Sequence, residues 1–588
     1  MRYLLRAEKE HAREVRLRNI VLMLLRVAIV LAIALAMARP VGLFPGIGHP
    51  PTALVVLLDN SLSSSAAGSE GPVLTKLTEA ARTLVDESAN GDAITLVTMD
   101  GEAISGSSDA LRASIENLRA LDGAGDAKSA LTRARAVLEA SALAERRLVI
   151  LTDGQASTWE SIAVDSVLGE DIRVVVFQPR GTPPVNRAIV DVSLEPPHWS
   201  PRGAVRGTLL GDSASWRLAL DGRSVARGTA GPGQPILARA QPTTRGWIAG
   251  TLELEPDELR GDDVRHFAVH VGDAPAVVVD PSSGAFLRGA VDALIEGGRA
   301  RNGNDVYIGS AERARAPGLL FAPSNPVQVA DANRALERAG VPWRFGARRT
   351  GESQLRGAGF PVAGVRVWYD LVSAGAATTD TLVRVGANPW AVAGPNYVLI
   401  ASPADADATE LPVRAGFVPW LDALLAERLS AAGGLARSVA PGARVEVPSG
   451  ITALEAPDGT TRTVIAGNTV QAPWKSGTYF WLRTNAGTSA GTNAGTNAGT
   501  AARTNYRAGA LIVNAEPAES RLLALSPDSL QRQLNAEQSS ETSDATARAA
   551  FAANGRRALA TPLLILAALL LLAESSLASR GRGAPVPA

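Results

Sequence analysis

The chain has 588 residues, enough for roughly four domains of ~150 residues each. Its 58 Lys and Arg balance 58 Asp and Glu, which argues against a nucleic-acid-binding protein that works by bulk positive charge. It contains no cysteine, so disulfides, thiolate catalysis and cysteine-based zinc or iron–sulfur sites are excluded.

The N-terminus joins a basic segment to an apolar one. Residues 1–19 carry six Arg or Lys, and residues 20–38 are apolar apart from Arg26. At ~1.5 Å per residue the apolar run nearly crosses a ~30 Å hydrocarbon core, so we expect a transmembrane helix at 20–39. The positive charge places residues 1–19 in the cytoplasm. A signal peptide cleaved after the Ala-Met-Ala sequence at 36–38 is the alternative. Either arrangement leaves the large middle region extracytoplasmic.

Strands and helices alternate through residues 48–184. Strands are predicted by buried apolar runs at 52–58, 93–98, 147–152 and 171–177, and helices by the spacing at 73–87, 109–118 and 126–140. This alternation predicts an α/β domain with a doubly wound, Rossmann-like parallel sheet.

Oxygen-bearing side chains follow two of these strands. Asp59, Ser61 and Ser63 come after the first, and Asp153 follows a later one. Ligand sites in such sheets form at the carboxyl ends of the strands, so we expect these four residues to meet there. Two carboxylates and two hydroxyls suit Mg²⁺.

The paired loops, D-x-S-x-S at 59–63 and T-D-G at 152–154, resemble those of the von Willebrand factor A family. The resemblance implies a metal-ion-dependent adhesion site with Asp59, Ser61, Ser63 and Asp153 as metal ligands. A threonine of the family's pattern is replaced here by Gly125, which implies a weak or lost metal site. Asp126, Ser129 and Thr132 are the nearby residues that would have to compensate.

Three further domains are expected in the middle of the chain. Short alternating strands with Gly/Pro turns predict a β-sandwich at 185–272, and residues 436–516 predict a β domain. The latter holds a low-complexity T-(N/S)-A-G repeat at 484–500, expected to be a flexible loop. Between them, residues 273–432 predict a second α/β domain, similar in outline to class I glutamine amidotransferases. Amidotransferase chemistry is excluded, because the chain has no Cys and the last of its five His is His270.

The chain closes with a polar segment and a second apolar run. Residues 517–557 are rich in Ser, Glu, Gln and Arg, and we interpret them as a juxtamembrane stalk. Residues 558–578, which include TPLLILAALLLLA, predict a second transmembrane helix that returns the C-terminus to the cytoplasm.

Several strings in this order resemble the BatA-type aerotolerance-regulator family of bacterial inner-membrane proteins. They are ALAMARP at 34–40, RGDDVRHFAVHV at 260–271, LPVRAGFVP at 411–419 and VNAEPAESRL at 513–522. Members often begin with a further hydrophobic helix, ahead of the segment that starts here at Met1. The resemblance implies a membrane-anchored adaptor in envelope stress tolerance or complex maturation. It also implies partners among related von Willebrand A proteins and the MoxR-type AAA+ ATPase system.

The sequence therefore predicts a non-enzymatic, membrane-integral adaptor that binds protein partners, with weak Mg²⁺ binding as its cofactor chemistry. No nucleophile, base and orienting group occur at a spacing typical of a catalytic site. Two alternatives stay open: a structural envelope protein with a non-functional metal loop, and an extracytoplasmic hydrolase that uses the second α/β domain.

Overall fold

The computed structural model describes most of the chain. The described residues are 2–38, 41–43, 49–68, 71–162, 167–169, 172–181, 183–375, 380–430, 435–485, 504–551, 556–558 and 560–579.

Two terminal helices, Arg2–Met37 and Ala560–Ser579, lie against each other and are joined by an ion pair of 2.6 Å between Arg26 Nε and Glu574 Oε1. Within the described part of the chain, the stretch Asn19–Met37 is long and apolar enough to cross a membrane. The apolar stretch of the second helix, Leu563–Leu577, is shorter, so a second span stays a prediction.

A six-stranded sheet forms the core of the first α/β domain, which we call the A domain. Five strands are parallel, and an antiparallel strand closes one edge. In order across the sheet, the strands are Gln538–Ser540, Arg173–Phe177, Glu145–Leu151, Thr52–Leu58, Ala93–Thr98 and Ala103–Ser105. The helices of this region are Val73–Asp86, Ser108–Asn117, Ala127–Ala140, Ala156–Trp159, Pro527–Gln533 and Ser543–Phe551.

The strand Thr52–Leu58 is buried throughout because helices cover both faces of the sheet. Its side chains at 53, 55 and 57 pack with the helix Ala127–Ala140, whereas those at 54, 56 and 58 pack with the helix Val73–Asp86. Alternation of side chains across a strand therefore explains why the run reads as continuously apolar.

The last part of the A domain comes from the region predicted to be a stalk at 517–557, and this corrects that prediction. The strand Gln538–Ser540 pairs with Arg173–Phe177, Leu530 and Leu534 are fully buried in the core, and Arg147 Nη1 donates to the carbonyl of Ala549 at 2.6 Å. The A domain is therefore built from residues 49–181 together with 519–551.

Two β-sheets follow the first half of the A domain and share one core. One sheet has the order His198–Trp199, Val264–Val271, Gly246–Leu254, Ala214–Leu220, Arg223–Ala230; the other has the order Ile236–Ala240, Gly203–Leu210, Ala188–Glu195. Val205 of the second sheet and Leu218, Leu252 and Val269 of the first lie together in this core, which makes the region a β-sandwich.

The second α/β region contains a nine-stranded sheet. Its strands, in order, are Arg301–Asn302, Ala276–Val279, Val306–Ser310, Gly318–Phe321, Tyr397–Ile400, Asn388–Gly394, Asp380–Val385, Trp343–Arg356 and Gly364–Ser373. The first five are parallel, and the rest add as antiparallel hairpins. Its helices are Ala285–Glu296, Val329–Arg338 and Phe417–Leu424, the last continued by a π-helix at Leu425–Leu429. The antiparallel half was not predicted, and the likeness to amidotransferases stays a prediction.

The C-terminal β domain leads the chain back to the A domain. Its larger sheet has the order Ala436–Val439, Thr504–Val513, Gly477–Asn485, Ala453–Glu455, Thr461–Thr463, and Arg444–Glu446 pairs with Thr469–Gln471. Phe480, Ala510 and Ile512 pack on Trp247 and Ala268 of the sandwich. The strand Thr504–Val513 therefore ends beside the sandwich, next to the A domain. Residues 486–500 of the predicted flexible loop lie outside the described residues.

Candidate functional site

The four residues predicted to bind metal lie together at one edge of the A-domain sheet. Thr52–Leu58 and Glu145–Leu151 are adjacent parallel strands with Leu58 opposite Leu151, so their carboxyl ends coincide. The backbone N–H of Asp59 donates to the carbonyl of Leu151 at 2.9 Å, which joins the two loops at their start. The sheet thus places Asp59 beside the T-D-G loop that carries Asp153.

Hydrogen bonds fix the orientation of the Asp59 carboxylate. Its Oδ1 accepts the Ser61 N–H at 3.1 Å, and its Oδ2 accepts the Thr152 hydroxyl at 2.6 Å. The hydroxyl oxygens of Ser61 and Ser63 are 3.2 Å apart. Asp59, Ser61 and Ser63 are buried, so their oxygen atoms converge in a site shielded from solvent. Thr152 was not predicted as part of the site, although it directly precedes Asp153.

A third carboxylate enters this site from a distant part of the sequence. Glu519 is fully buried; its Oε2 accepts the Ser63 N–H at 3.3 Å, and its Oε1 accepts the Ser157 hydroxyl at 3.2 Å. Its backbone carbonyl accepts the side-chain amide of Gln155 at 3.3 Å. The sequence analysis missed Glu519 as a site residue. Glu519 lies in the string VNAEPAESRL at 513–522, which supported the family resemblance but did not indicate a site residue.

The three carboxyl groups perturb one another. Burial, followed by the charges of Asp59 and Glu519, raises the pKa of Asp153 to about 7. Burial and the charge of Asp59 raise the pKa of Glu519 to about 7, and burial also raises the pKa of Asp59. Within the described ranges, no Lys, Arg or His forms an ion pair with any of the three. The site therefore holds three carboxyl groups that form no ion pair with a side-chain cation of the described residues, and their raised pKa values favour the protonated form.

Gly125 occupies the position where the family pattern has threonine, and the backbone there excludes a side chain. Its φ is +73°, and an added Cβ would lie 2.5 Å from the Cβ and 2.9 Å from the carbonyl oxygen of Met99. Asp126 instead caps the helix Ala127–Ala140, accepting the Ser129 N–H at 2.9 Å and its hydroxyl at 2.6 Å. The Thr132 hydroxyl donates to the carbonyl of Lys128 at 2.8 Å. These contacts turn the three residues toward their own helix, so they do not replace the missing oxygen.

A cleft of about 350 Å³ opens beside the site. Its lining includes Ser63 and Asp153 of the site, Gln155, Leu522, and the basic residues Lys76 and Arg180. Lys76 Nζ donates to the carbonyl of Arg180 at 3.2 Å, and the Arg180 side chain pairs with Glu541. Asp153 is only partly buried because it faces this cleft. A side chain from another molecule can therefore approach Ser63 and Asp153 through it.

Comparison with known proteins identifies the domain. A family model described as a von Willebrand factor type A domain matches residues 54–155. No curated protein matches the chain.

The chain is also similar to three solved structures. The conserved hypothetical protein BatB from Bacteroides thetaiotaomicron is 20% identical over 24% of this chain and 70% of that one, with a TM-score of 0.19. An aerotolerance-related membrane protein from Bacteroides fragilis is 20% identical over 24% of this chain and 71% of that one, with a TM-score of 0.18. A von Willebrand factor type A protein from Catenulispora acidiphila is 11% identical over 38% of this chain and 66% of that one, with a TM-score of 0.19. At these TM-scores the likenesses carry no argument about function. The chain therefore contains a von Willebrand A domain, and the strand-end loops at 59–63 and 152–154 lie within its matched range.

Proposed function

We propose that this chain is a membrane-anchored adaptor whose von Willebrand A domain binds protein partners through a Mg²⁺ ion. The observation that carries the proposal is the convergence of the side-chain oxygens of Asp59, Asp153, Ser61 and Ser63 at the carboxyl ends of two adjacent strands. Carboxylate and hydroxyl oxygens are the ligands that Mg²⁺ prefers. These four residues would hold the ion, which would supply an electrophilic centre for a carboxylate of the partner.

The cleft favours an acidic partner segment. Lys76 and Arg180 line it together with Ser63 and Asp153, so basic groups flank the approach to the proposed ion. A glutamate or aspartate of the partner would enter this cleft and approach Ser63 and Asp153. Electrostatic complementarity of this kind mainly sets which partner is accepted and how fast it associates.

The proposed cellular setting is supported by the helix Asn19–Met37 and by the resemblance to the BatA-type family. We propose that the chain is anchored in the bacterial inner membrane with its large middle region outside the cytoplasm. A MoxR-type ATPase system and related von Willebrand A proteins are the proposed partners, and envelope stress tolerance or complex maturation is the proposed process. We propose no catalytic activity for the second α/β region, because the sequence gives it neither Cys nor His.

The test is a titration of the full chain in detergent with Mn²⁺, which substitutes for Mg²⁺ and whose free form is measured by electron paramagnetic resonance. We expect Asp59→Asn to weaken Mn²⁺ binding at least about tenfold, the effect of ~1.4 kcal/mol. The control is Asp109→Asn, which changes a helix carboxylate that is 93% exposed and should match the wild type. Partner proteins that can be cross-linked to the wild-type chain in membranes should no longer be cross-linked when chelator is present beforehand. They should also not be cross-linked to Asp59→Asn.

Two outcomes would replace the proposal by one of its alternatives. Absence of Mn²⁺ binding up to ~10 mM, a concentration at which a site with Kd ~1 mM is almost full, would favour a structural protein with a non-functional metal loop. Turnover of ester or amide substrates by the purified chain would favour a hydrolase.

A further inference from the structure

Three aspartates outside the candidate site lie together in one loop of the β-sandwich. Asp257, Asp262 and Asp263 belong to the loop 255–263, which joins the strands Gly246–Leu254 and Val264–Val271. A carboxylate oxygen of each lies within 4.8 Å of one from each of the other two, which is close enough for all three to bind one ion. The Asp257 side chain is 4% exposed, and Asp262 and Asp263 are buried. The three carboxyl groups are therefore held close together and shielded from water.

Both buried aspartates have a carboxylate oxygen that accepts no hydrogen bond. Asp262 Oδ2 accepts from Asn186 Nδ2 at 2.8 Å, and Asp263 Oδ2 accepts the Asp257 N–H at 3.1 Å. The other oxygen of each, Oδ1, is buried and has no hydrogen-bond partner among the described residues, and the same is true of Asn186 Oδ1. Buried oxygens in folded proteins nearly always have a partner. Several such acceptors in and beside one acidic loop therefore point to a bound cation.

One side-chain cation lies beside the cluster. Arg187 Nε is 3.6 Å from Asp257 Oδ2, and the Arg187 N–H donates to the same oxygen at 2.8 Å. Within the described ranges, no Lys, Arg or His forms an ion pair with Asp262 or Asp263. Arg187 can therefore balance the charge of Asp257, but not the charges of all three aspartates.

Burial makes the ionised forms of Asp262 and Asp263 unfavourable. It raises the pKa of Asp262 to about 6, with the side chains of Ser520 and Asn186 opposing the shift. It raises the pKa of Asp263 to about 7, and the charges of Asp257 and Asp262 add to the effect. A divalent cation between the groups would remove this penalty, because its charge favours ionised carboxylates. A proton shared by Asp262 and Asp263 would also relieve it, but such a pair would not respond to Ca²⁺.

The acidic loop also joins the sandwich to the A domain. The carbonyl of Glu258 accepts the Ala67 N–H at 2.9 Å, and Leu259 packs with Leu62 in a small apolar cluster. Leu62 belongs to the D-x-S-x-S loop at 59–63, which carries three of the candidate site residues. A cation bound by the three aspartates would therefore fix the position of the sandwich against this part of the A domain.

We propose that Asp257, Asp262 and Asp263 form a second divalent-cation site, which binds Ca²⁺ and fastens the sandwich loop to the A domain. Carboxylate oxygens are the ligands that hard cations prefer. Mg²⁺ usually keeps several water molecules, and a buried loop admits few, so the site favours Ca²⁺. The proposal does not depend on the proposed function, because the two sites share no residue.

The experiment measures Ca²⁺ binding by titration calorimetry in three full-length proteins in detergent. All three carry Asp59→Asn, which removes a ligand of the candidate Mg²⁺ site; the second adds Asp263→Asn, and the third adds the control Glu258→Gln. Glu258 is an exposed carboxylate of the same loop. We expect Asp263→Asn to weaken Ca²⁺ binding at least about tenfold and Glu258→Gln to change it less than about twofold.

Melting curves separate a metal ligand from a residue that is only structural. Asparagine at 263 keeps an oxygen that can accept the Asp257 N–H and removes a buried ionisable group. In chelator, the Asp263→Asn protein should therefore melt at or above the temperature of its Asp59→Asn parent. Ca²⁺ at ~10 mM should raise the melting temperature of the parent and of the Glu258→Gln protein, but not that of the Asp263→Asn protein. Asp262→Asn repeats the test at the second buried carboxyl.

Hydrogen exchange shows whether the ion fastens the two domains. Ca²⁺ should slow exchange of the Ala67 N–H, which donates to Glu258, in the parent but not in the Asp263→Asn protein. Unchanged exchange despite Ca²⁺ binding would overturn the fastening role. A parent that binds no Ca²⁺, or binds it equally well after Asp263→Asn and Asp262→Asn, would overturn the site, and the shared proton would then account for the two buried carboxyls.

Discussion

Replacing Asp153 by asparagine should stabilise the metal-free chain at alkaline pH. Asp153 is an acid whose pKa is raised from 3.8 to about 7, mainly by burial and by the charge of Asp59. Its ionisation in the folded chain therefore costs up to ~4 kcal/mol. The carboxyl faces the cleft, where solvent reduces this cost, so we expect ~2–4 kcal/mol. Asparagine retains an oxygen that can accept the Gln155 N–H, a hydrogen bond of 3.0 Å in the wild type.

The pH dependence has a definite sign. Below the unfolded pKa of 3.8, both states are protonated and the carboxyl costs nothing. As the pH rises from about 4 to about 7, the unfolded chain ionises first, so the wild type loses stability; above about 7 the cost is complete. In chelator, the stabilising effect of Asp153→Asn should therefore be greatest at pH 8 and should shrink to ~1 kcal/mol at pH 4.5.

Scanning calorimetry of the full chain in detergent measures this effect, using the transition that shifts with Mg²⁺. A gain of ~2–4 kcal/mol in a domain of this size raises the melting temperature by ~4–16 °C. With 10 mM Mg²⁺ the difference should narrow, because a site with Kd ~1 mM adds ~1.4 kcal/mol to the wild type alone. The control is Asp109→Asn, which should melt like the wild type throughout. An Asp153→Asn chain that melts below the wild type at pH 8 in chelator would refute the argument from carboxylate repulsion.

Three further predictions concern the fold and the membrane. Gly125→Thr should lower the free energy of unfolding by ~2–3 kcal/mol rather than restore a metal ligand, because the backbone has a positive φ there and Met99 fills the space. Tighter Mn²⁺ binding by this variant would contradict that reasoning. Residues 48–184 expressed alone should aggregate or melt at a lower temperature than the full chain, since they lack Leu530 and Leu534, whose burial contributes ~2 kcal/mol each to stability. A soluble fragment with the melting profile of the full chain would count against a two-part A domain. A reporter fused after Ala588 should be active only in its cytoplasmic form, and activity of a periplasmic reporter there would exclude two spans.

The order and type of many elements are evident from the sequence. The strands Thr52–Leu58 and Glu145–Leu151 were predicted nearly to their ends because burial on both faces makes them continuously apolar. The meeting of Asp59 with Asp153 also followed, since the carboxyl ends of parallel strands share one edge of the sheet. The antiparallel half of the second α/β region, between 343 and 394, was missed because several of its strands have mixed exposure and no regular apolar alternation.

The sequence by itself determined that an A domain exists and which loops carry the oxygen-bearing side chains of its candidate site, because apolar periodicity and strand-end motifs depend on residues that are close in sequence. Only the tertiary structure decided that residues 519–551 belong to that domain and that Glu519 lies beside Ser63. The strand Gln538–Ser540 is short and polar, and the helix Ser543–Phe551 is rich in alanine, so neither has a strong local pattern. Their positions depend on pairing and packing with residues more than 350 positions earlier, and such contacts leave no signal in the spacing of neighbouring side chains.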